Sequence, residues 1–356
     1  MKYFDTEVLR PFAEALFCKE GLSGADAAIV VEGMIKANLR GIDSHGLSRV
    51  PMYLNRLKKG VVNPRPNIRI TRVMPAVSLI DGDDGMGFLI GRKAIDEACL
   101  LAETVGIGLV GARRSTHYGM AAQYVLQAIE AGYIAIALTN SSPAIPAWGS
   151  RTTFLGAAPL AAGVPGGNHS PYVLDMAMTV IARGKIRLAA QRGDPIPEGL
   201  ALDSEGRPTT DAKKAFEGVC LPFGGVKGSA LSMLMDLLAG VLTGANYGGE
   251  VKSLYFDHSA PQDVGHLFIA IKPDLFVPPE AFGERMDTFI ERAKGLPKAM
   301  GFDEILIPGE PEERTETDRR RTGLPMTDDV VTDLRNEAVA AGLIFPEGSD
   351  SPLGLT

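Results

Sequence analysis

The sequence has only five histidines, so each can be examined for chemistry. His45 stands in Gly41-Ile42-Asp43-Ser44-His45-Gly46, with Arg49 four residues on. On a helix the two side chains would share a face, placing a group that titrates near neutral pH beside a guanidinium fork able to hold a carboxylate. His117 lies in Ser115-Thr116-His117-Tyr118-Gly119, just after an expected strand, where ligand-binding loops of α/β sheets gather. His258 and His266 have no acidic or glycine-rich company, and His169 sits in a Gly-Gly-Asn-His-Ser-Pro turn; all three read as surface or internally satisfied residues. No HxxxH or HxH spacing occurs, so a metal-dependent hydrolase would have to collect its ligands from distant segments. Lys227-Gly228 follows Gly224-Gly225 at the head of a long expected helix. Backbone amides there could receive a phosphate, or the glycines could simply be a flexible helix entrance.

Two other patterns resemble sites and lack the required context. Gly106, Gly108 and Gly111 spell GxGxxG, but a helix precedes them and Ile107 to Val110 is itself the expected strand. A Rossmann fingerprint needs the reverse order. Asp81-Gly82-Asp83-Asp84-Gly85 looks like a calcium loop, yet Arg92 occupies the position where a bidentate Glu is required, which leaves a turn. Cys18, Cys99 and Cys220 are odd in number and far apart, which excludes a disulfide framework and fits a reducing, cytoplasmic setting.

The elements that must position these residues follow from spacing. Ser23 to Asp26 has capping-box spacing, and Ala27, Val30, Val31 and Met34 continue a helix to about Arg40. Val50, Leu54 and Leu57 mark a second helix with Pro51 in its first turn, so Ser44-His45 sits at the corner of a helical hairpin. Strands are expected between Asn67 and Ile80, a helix over Phe88 to Thr104, a strand at Ile107 to Val110, a helix at Met120 to Ala131 and a strand at Tyr133 to Thr139. That succession is a βαβ crossover whose two strands should pair in parallel. Ser141 to Pro171 is too rich in Gly, Pro and Ala for regular structure and too apolar for a linker, which fits a site-lining loop. Beyond it come a strand at Tyr172 to Ala182, a polar loop at Ala201 to Thr210, a helix at Val226 to Leu242, a strand at Leu267 to Ile271 and a helix at Ala281 to Lys294. Glu304 to Ile307 reads as a short strand, Glu312 to Arg321 as a solvated charged face, and Thr327 to Ala341 as a last helix.

With 356 residues, 45% hydrophobic and 22% charged, the chain can bury a large core. Its 36 basic against 43 acidic residues give a net charge of -7, so no overall positive field draws nucleic acid or anionic membranes. The N-terminus has no apolar stretch of a secretory signal, and the longest apolar run, Gly228 to Ala245, carries Asp236 at its middle.

Six blocks, in order, resemble the type II malate/L-lactate dehydrogenase, or L-sulfolactate dehydrogenase-like, family. They are Arg40 to Gly46, Ser115 to Gly119, Thr139 to Ser141, Leu174 to Ala177, Pro222 to Gly228 and Ile307 to Glu310. The resemblance implies a mixed α/β, non-Rossmann nicotinamide-binding fold. It divides into a helical subdomain of residues 1–66 with 325–356 and a cofactor- and substrate-binding domain of residues 67–324. It further implies an NAD(P)-dependent oxidoreductase, NAD slightly favoured, acting on a small 2-hydroxy or 2-oxo acid, with a cyclic imino acid reductase as the alternative. A homodimer with active sites near the subunit interface is implied as well. His45 resembles the proton carrier, with Ser44 and Asp175 as its relay, and Arg49 the carboxylate anchor. His117 matches a second histidine to which some members assign the base role. Ser141, Asp175, Met176, Ala177, Lys227, Gly228, Pro308, Gly309 and Glu310 resemble cofactor-contacting positions. Where many members read Gly-Thr-Asn-Pro, this chain has Gly156-Ala157-Ala158-Pro159, which removes two polar side chains near the site. These types suit 2-hydroxy acid oxidation, which needs a base for the hydroxyl proton, a hydride acceptor facing C2 and a cation on the carboxylate.

Overall fold

A computed structural model describes residues 1–354. After β1 (Lys2–Phe4), Asp5 accepts the Glu7 N–H and starts α1 (Thr6–Lys19), and Ser23 accepts the Asp26 N–H at the head of α2 (Gly24–Leu39). The expected hairpin corner is present, but it is two 3-10 turns, Asp43–His45 and Leu47–Arg49, followed by α3 (Val50–Lys58). His45 and Arg49 therefore do not share one continuous helix. Gly46, extended at φ -89°, breaks it where the chain folds back on Asn38; a Cβ there would lie 2.1 Å from Asn38 Oδ1.

The middle of the chain runs β2 (Arg69–Met74), β3 (Val77–Asp81), α4 (Gly87–Val105), β4 (Ile107–Ser115), α5 (Ala122–Glu130), β5 (Ile134–Thr139), β6 (Pro143–Pro146), β7 (Thr153–Gly156), β8 (Pro159–Val164) and β9 (Tyr172–Ala177). It continues through α6 (Arg183–Arg192), β10 (Ala201–Leu202), α7 (Ala212–Glu217), β11 (Val219–Cys220), α8 (Val226–Asp236) and β12 (Val264–Ile271). The chain closes with α9 (Pro279–Lys294), α10 (Glu310–Thr322), β13 (Leu324–Met326) and α11 (Asp328–Ala341).

Seven strands form one sheet in the order β2-β3-β4-β12-β5-β8-β9, and only β3 and β4 pair in parallel. The expected pairing of β4 with β5 does not occur. β12 enters between them, antiparallel to both, with His266 opposite Ala112 on one side and Thr139 on the other. Alternation along β12 explains the insertion: Phe268 and Ala270 face α4 and α5, while Leu267 faces the layer containing Met235 and Ala239. A third core joins α1, α2 and α3 to β13 and α11.

Several other expectations are revised. Ser141 to Pro171 holds β6, β7 and β8; its small residues are needed because Gly163 lies under α5, where a Cβ would come 2.7 Å from Ile129 Cδ1. The strand from Tyr172 ends at Ala177, the polar loop from Ala201 opens with the two-residue β10, and the helix from Val226 becomes a π turn over Leu237–Val241. Glu304 to Ile307 is not a strand. The charged run after it is α10, whose Glu316 is 9% exposed and bound to Lys36, Arg40 and Arg320. No helix among the described residues is long and apolar enough to cross a membrane.

Candidate active site

The turns before α3 place a cluster of side chains against the strand end of β4. Asp43 locks the first turn by accepting from Asn38 Nδ2 at 2.7 Å and from both Nη atoms of Arg319, on α10, at 2.7 and 3.0 Å. The following Ser44 Oγ shares a hydrogen bond with His45 Nδ1 at 3.0 Å. The His45 ring stacks on that of His117, with centroids 5.6 Å apart and planes 20° apart. Arg49 donates its Nε to Ser44 O and lies 5.3 Å from the centre of the Tyr255 ring. Tyr53, one helical turn beyond Arg49, bonds His117 Nδ1 at 2.7 Å through its hydroxyl.

Both imidazoles are held neutral. Loss of hydration, then the Arg49 charge, pushes His45 down to about 4, and loss of hydration, then the proximity of His45, Arg49 and His266, pushes His117 well below its ordinary value. His117 Nδ1 also accepts the Gly119 N–H at 3.3 Å, which requires a lone pair there and puts the ring hydrogen on Nε2. The Ser44 hydroxyl can donate or accept, so His45 is free to take either tautomer.

His45 lines a cleft of about 440 Å³ with Met120, Ala121, Ala157, Asp175, Ala177, Pro308 and Gly309. Asp175 makes no hydrogen bond to Ser44 or His45, so the expected relay is absent. Its carboxylate instead accepts the Ala122 N–H at 2.8 Å, completing the N-terminus of α5, which has no side-chain cap of its own. Scarce hydration pushes Asp175 up to about 6, although its edge is open to the cleft. The Pro308-Gly309-Glu310 turn meets β9 through Val173 N–H to Pro308 O at 2.8 Å. Gly309 has φ +101°, and a Cβ there would lie 2.9 Å from Val173 Cβ. The Glu310 carboxylate binds Lys294 and the Ile307 N–H, so this turn presents backbone to the cleft.

Ser141, Met176, Lys227 and Gly228 do not line this cleft. Ser141 packs against Gly156, where a Cβ would sit 2.3 Å from its Oγ, and Met176 pairs with Leu160 within the sheet. Lys227 is exposed on the first turn of α8, and Gly228 passes so close to Phe223 O that a Cβ would come within 1.7 Å. Tyr53, Arg40 and Tyr255 escaped the sequence reading. Tyr53 carried a signal in its spacing of four from Arg49, and Arg40 opens the first of the six blocks; Tyr255 carried none. The other histidines are internally engaged: His266 bonds Thr139 Oγ1 and Ser115 Oγ at 2.7 Å each, His258 meets Asn55 and His169 meets Glu291. Arg114 holds Asp81, Asp83 and Asp84 together.

The cleft fits a nicotinamide nucleotide. Small apolar walls at Ala121, Ala157 and Pro159 suit a flat ring, Asp175 offers an acceptor for hydroxyl or amide hydrogens, and Arg40 borders the cleft with a buried, unpartnered Nε. The cleft volume lies within the range of about 300–1,000 Å³ usual for cofactor sites.

The chain is 39% identical to the L-sulfolactate dehydrogenase of Methanocaldococcus jannaschii over 91% of this chain and 93% of that protein. It is 36% identical to the malate dehydrogenase of Pyrococcus horikoshii, covering 96% and 98%, and 33% identical to the ureidoglycolate dehydrogenase (NAD(+)) of Escherichia coli, covering 94% and 95%. Its structure superposes on that of the M. jannaschii sulfolactate dehydrogenase with a TM-score of 0.91 at 38% identity, covering 96% of this chain and 98% of the other. It also superposes on the delta1-piperideine-2-carboxylate reductase of Pseudomonas syringae, with a TM-score of 0.85 at 27% identity and coverage of 95% and 100%. The family model for malate/L-lactate dehydrogenase matches residues 4–335, and with the resemblance read from the six sequence blocks this places the chain in the malate/L-lactate dehydrogenase family.

Proposed function

We propose that this protein is an NAD(P)-dependent dehydrogenase that moves a hydride between a nicotinamide and C2 of a small 2-hydroxy or 2-oxo acid. The observation that carries the proposal is the pair of stacked, neutral imidazoles near Arg49, of which His45 lines the cleft and His117 and Arg49 do not. The bound cofactor supplies the hydride acceptor or donor. Arg49 has its Nε on Ser44 O, which leaves its two Nη groups for the substrate carboxylate and aims C2 into the cleft. His45 takes the hydroxyl proton on its outer nitrogen while Ser44 holds Nδ1, and returns it in the reverse reaction. His117, with its hydrogen on Nε2, donates to the substrate oxygen and polarises it. A second reading exchanges the histidines, favoured by the 2.7 Å bond between Tyr53 and His117, a better-ordered partner than exposed Ser44 gives His45; it requires the other His117 tautomer, with Nδ1–H donated to the Tyr53 oxygen and Nε2 left to accept the proton.

Ala157 lines the cleft and Ala158 is buried, so the departure at Gly156 to Pro159 leaves apolar surface where other members are polar. NAD is favoured over NADP because Asp175 and Glu312 both line the cleft and its guanidinium, Arg40, already faces Glu316. A homodimer is supported by the exposed apolar row Val226, Leu234, Leu237, Val241 and Leu242 along α8 and its π turn. Light scattering is expected to find a dimer, and monomer alone at working concentration would contradict that part of the reading. The activity itself is tested by mixing the protein with NADH or NADPH and a panel of 2-oxo acids and cyclic imines. Oxidation of the cofactor with a 2-oxo acid supports the proposal. Turnover of cyclic imines alone would move it to the imino acid reductases.

A further inference from the structure

Arg56 is a guanidinium that the hydride-transfer reading does not use. It is 1% exposed and lies three residues after Tyr53 on α3, seven after Arg49 at the head of that helix, so that the three follow one face. Its Nη1 donates to the carbonyl oxygens of Ser253, Leu254 and Asp257 at 3.2, 3.3 and 3.3 Å, while Nε and Nη2 have no partner. Burying a guanidinium with two nitrogens unpaired is costly, and an apolar residue would pack α3 better. What this arrangement achieves is a bend. Three carbonyls gather on one nitrogen, and Ser253 Oγ accepts the N–H groups of Tyr255 and Phe256 at 3.3 and 3.2 Å. Gln262 closes the base of the loop, donating to Lys252 O at 3.0 Å and accepting the His117 N–H at 3.4 Å. The bend lays the Tyr255 ring on the Arg49 guanidinium, whose Nε is already tied to Ser44 O. The plane of the fork is thus held from two sides.

We propose that Tyr255 and Arg56 are positioning residues for substrate binding: Arg56 shapes the 253–257 loop so that the Tyr255 ring sets the orientation in which Arg49 receives the carboxylate. The inference rests on Arg49 being the carboxylate anchor, and the experiment separates the two. Steady-state kinetics with the 2-oxo acid that the wild-type enzyme reduces fastest are run beside NADH titrations followed by fluorescence. Tyr255→Leu is expected to raise KM about 3- to 10-fold, the size of a lost cation–π contact, with kcat within about 2-fold and NADH affinity unchanged. Tyr255→Phe, which keeps the ring, is expected to behave as wild type. Arg56→Lys is expected to raise KM likewise, and Arg56→Lys with Tyr255→Leu no further than either alone, because both act through one contact. An unchanged KM in Tyr255→Leu, or an equal loss of NADH affinity, overturns the inference. Additive effects in the double variant overturn the role of Arg56. Because Tyr255 is half-exposed, its variants remain informative if Arg56→Lys does not fold. If Arg49→Lys leaves KM unchanged, the anchor assignment itself fails. If Arg49→Lys raises KM and Tyr255→Leu does not, only the positioning role fails.

Discussion

His45 owes its low pKa to two causes that respond differently to substrate. Loss of hydration persists when the site fills, whereas a carboxylate held by Arg49, as proposed, would neutralise that charge. In the free enzyme His45 is therefore neutral above about pH 4, ready to accept a proton, and its ionisation lies below the value near 6.5 that an exposed imidazole would show. In the complex its pKa rises. For hydroxy acid oxidation, the acidic limb of kcat is thus expected at higher pH than that of kcat/KM, which pH profiles of the two constants measure directly. His45→Ala is expected to lower kcat about 100- to 10,000-fold and remove the limb, and His117→Ala to lower the rate while keeping it. If the limb survives in His45→Ala and vanishes in His117→Ala, the two roles exchange.

At the scale of elements, caps and periodicity were legible because they are local: Ser23 capping α2, Pro51 opening α3, the apolar spacing of α2 and α3. Adjacency was not legible. Whether β12 lies between β4 and β5 depends on which face buries Phe268 and which buries Leu267, and nothing near either strand encodes that choice. Propensity also misled at β8, where Ala and Gly are present because α5 lies close above them rather than because the chain is irregular. Ser44, His45, Arg49 and His117, which the structure brings together, stood out in the sequence by type and spacing. Tyr255, about two hundred residues away, did not, since only the bend at Arg56 brings it over Arg49. The GxGxxG pattern has a packing cause: a Cβ on Gly108 would lie 2.0 Å from Ala98 O, so α4 can rest on β4 only if that residue is glycine. Gly108→Ala is expected to cost at least about 3 kcal/mol in urea denaturation, above ordinary overpacking because the clash is with backbone. Its remaining folded fraction should bind NADH as wild type does. Weakened NADH binding at unchanged stability would instead make these glycines a phosphate loop.

Across the whole molecule, three neutral histidines, His266 buried and His45 and His117 half-buried, make the fold sensitive to acid. In the unfolded chain they titrate near 6.5, whereas in the fold His45 lies at about 4, His266 at about 3 and His117 well below its ordinary value. Between these values the unfolded state binds more protons, so their contribution is complete above pH 6.5 and is lost as pH falls toward the folded values. Asp175, raised to about 6, works in the opposite direction: it costs stability above that pH and less below it. His266 is fully buried and alone should cost about 2 kcal/mol between pH 6.5 and about pH 5, read as a lower urea midpoint. A midpoint that does not move over that range would contradict the neutral burial of these rings. On the proposed reading, the cleft joins a nicotinamide to C2 of an acid held by Arg49. The direct measurement is reduction of the preferred 2-oxo acid with NADH or NADPH carrying deuterium at nicotinamide C4, followed by mass spectrometry and proton NMR of the product. The expected result is a 2-hydroxy acid labelled at C2 when one face of the cofactor ring carries the deuterium and unlabelled when the other does. Label released to water, or none at C2 from either face, would contradict it.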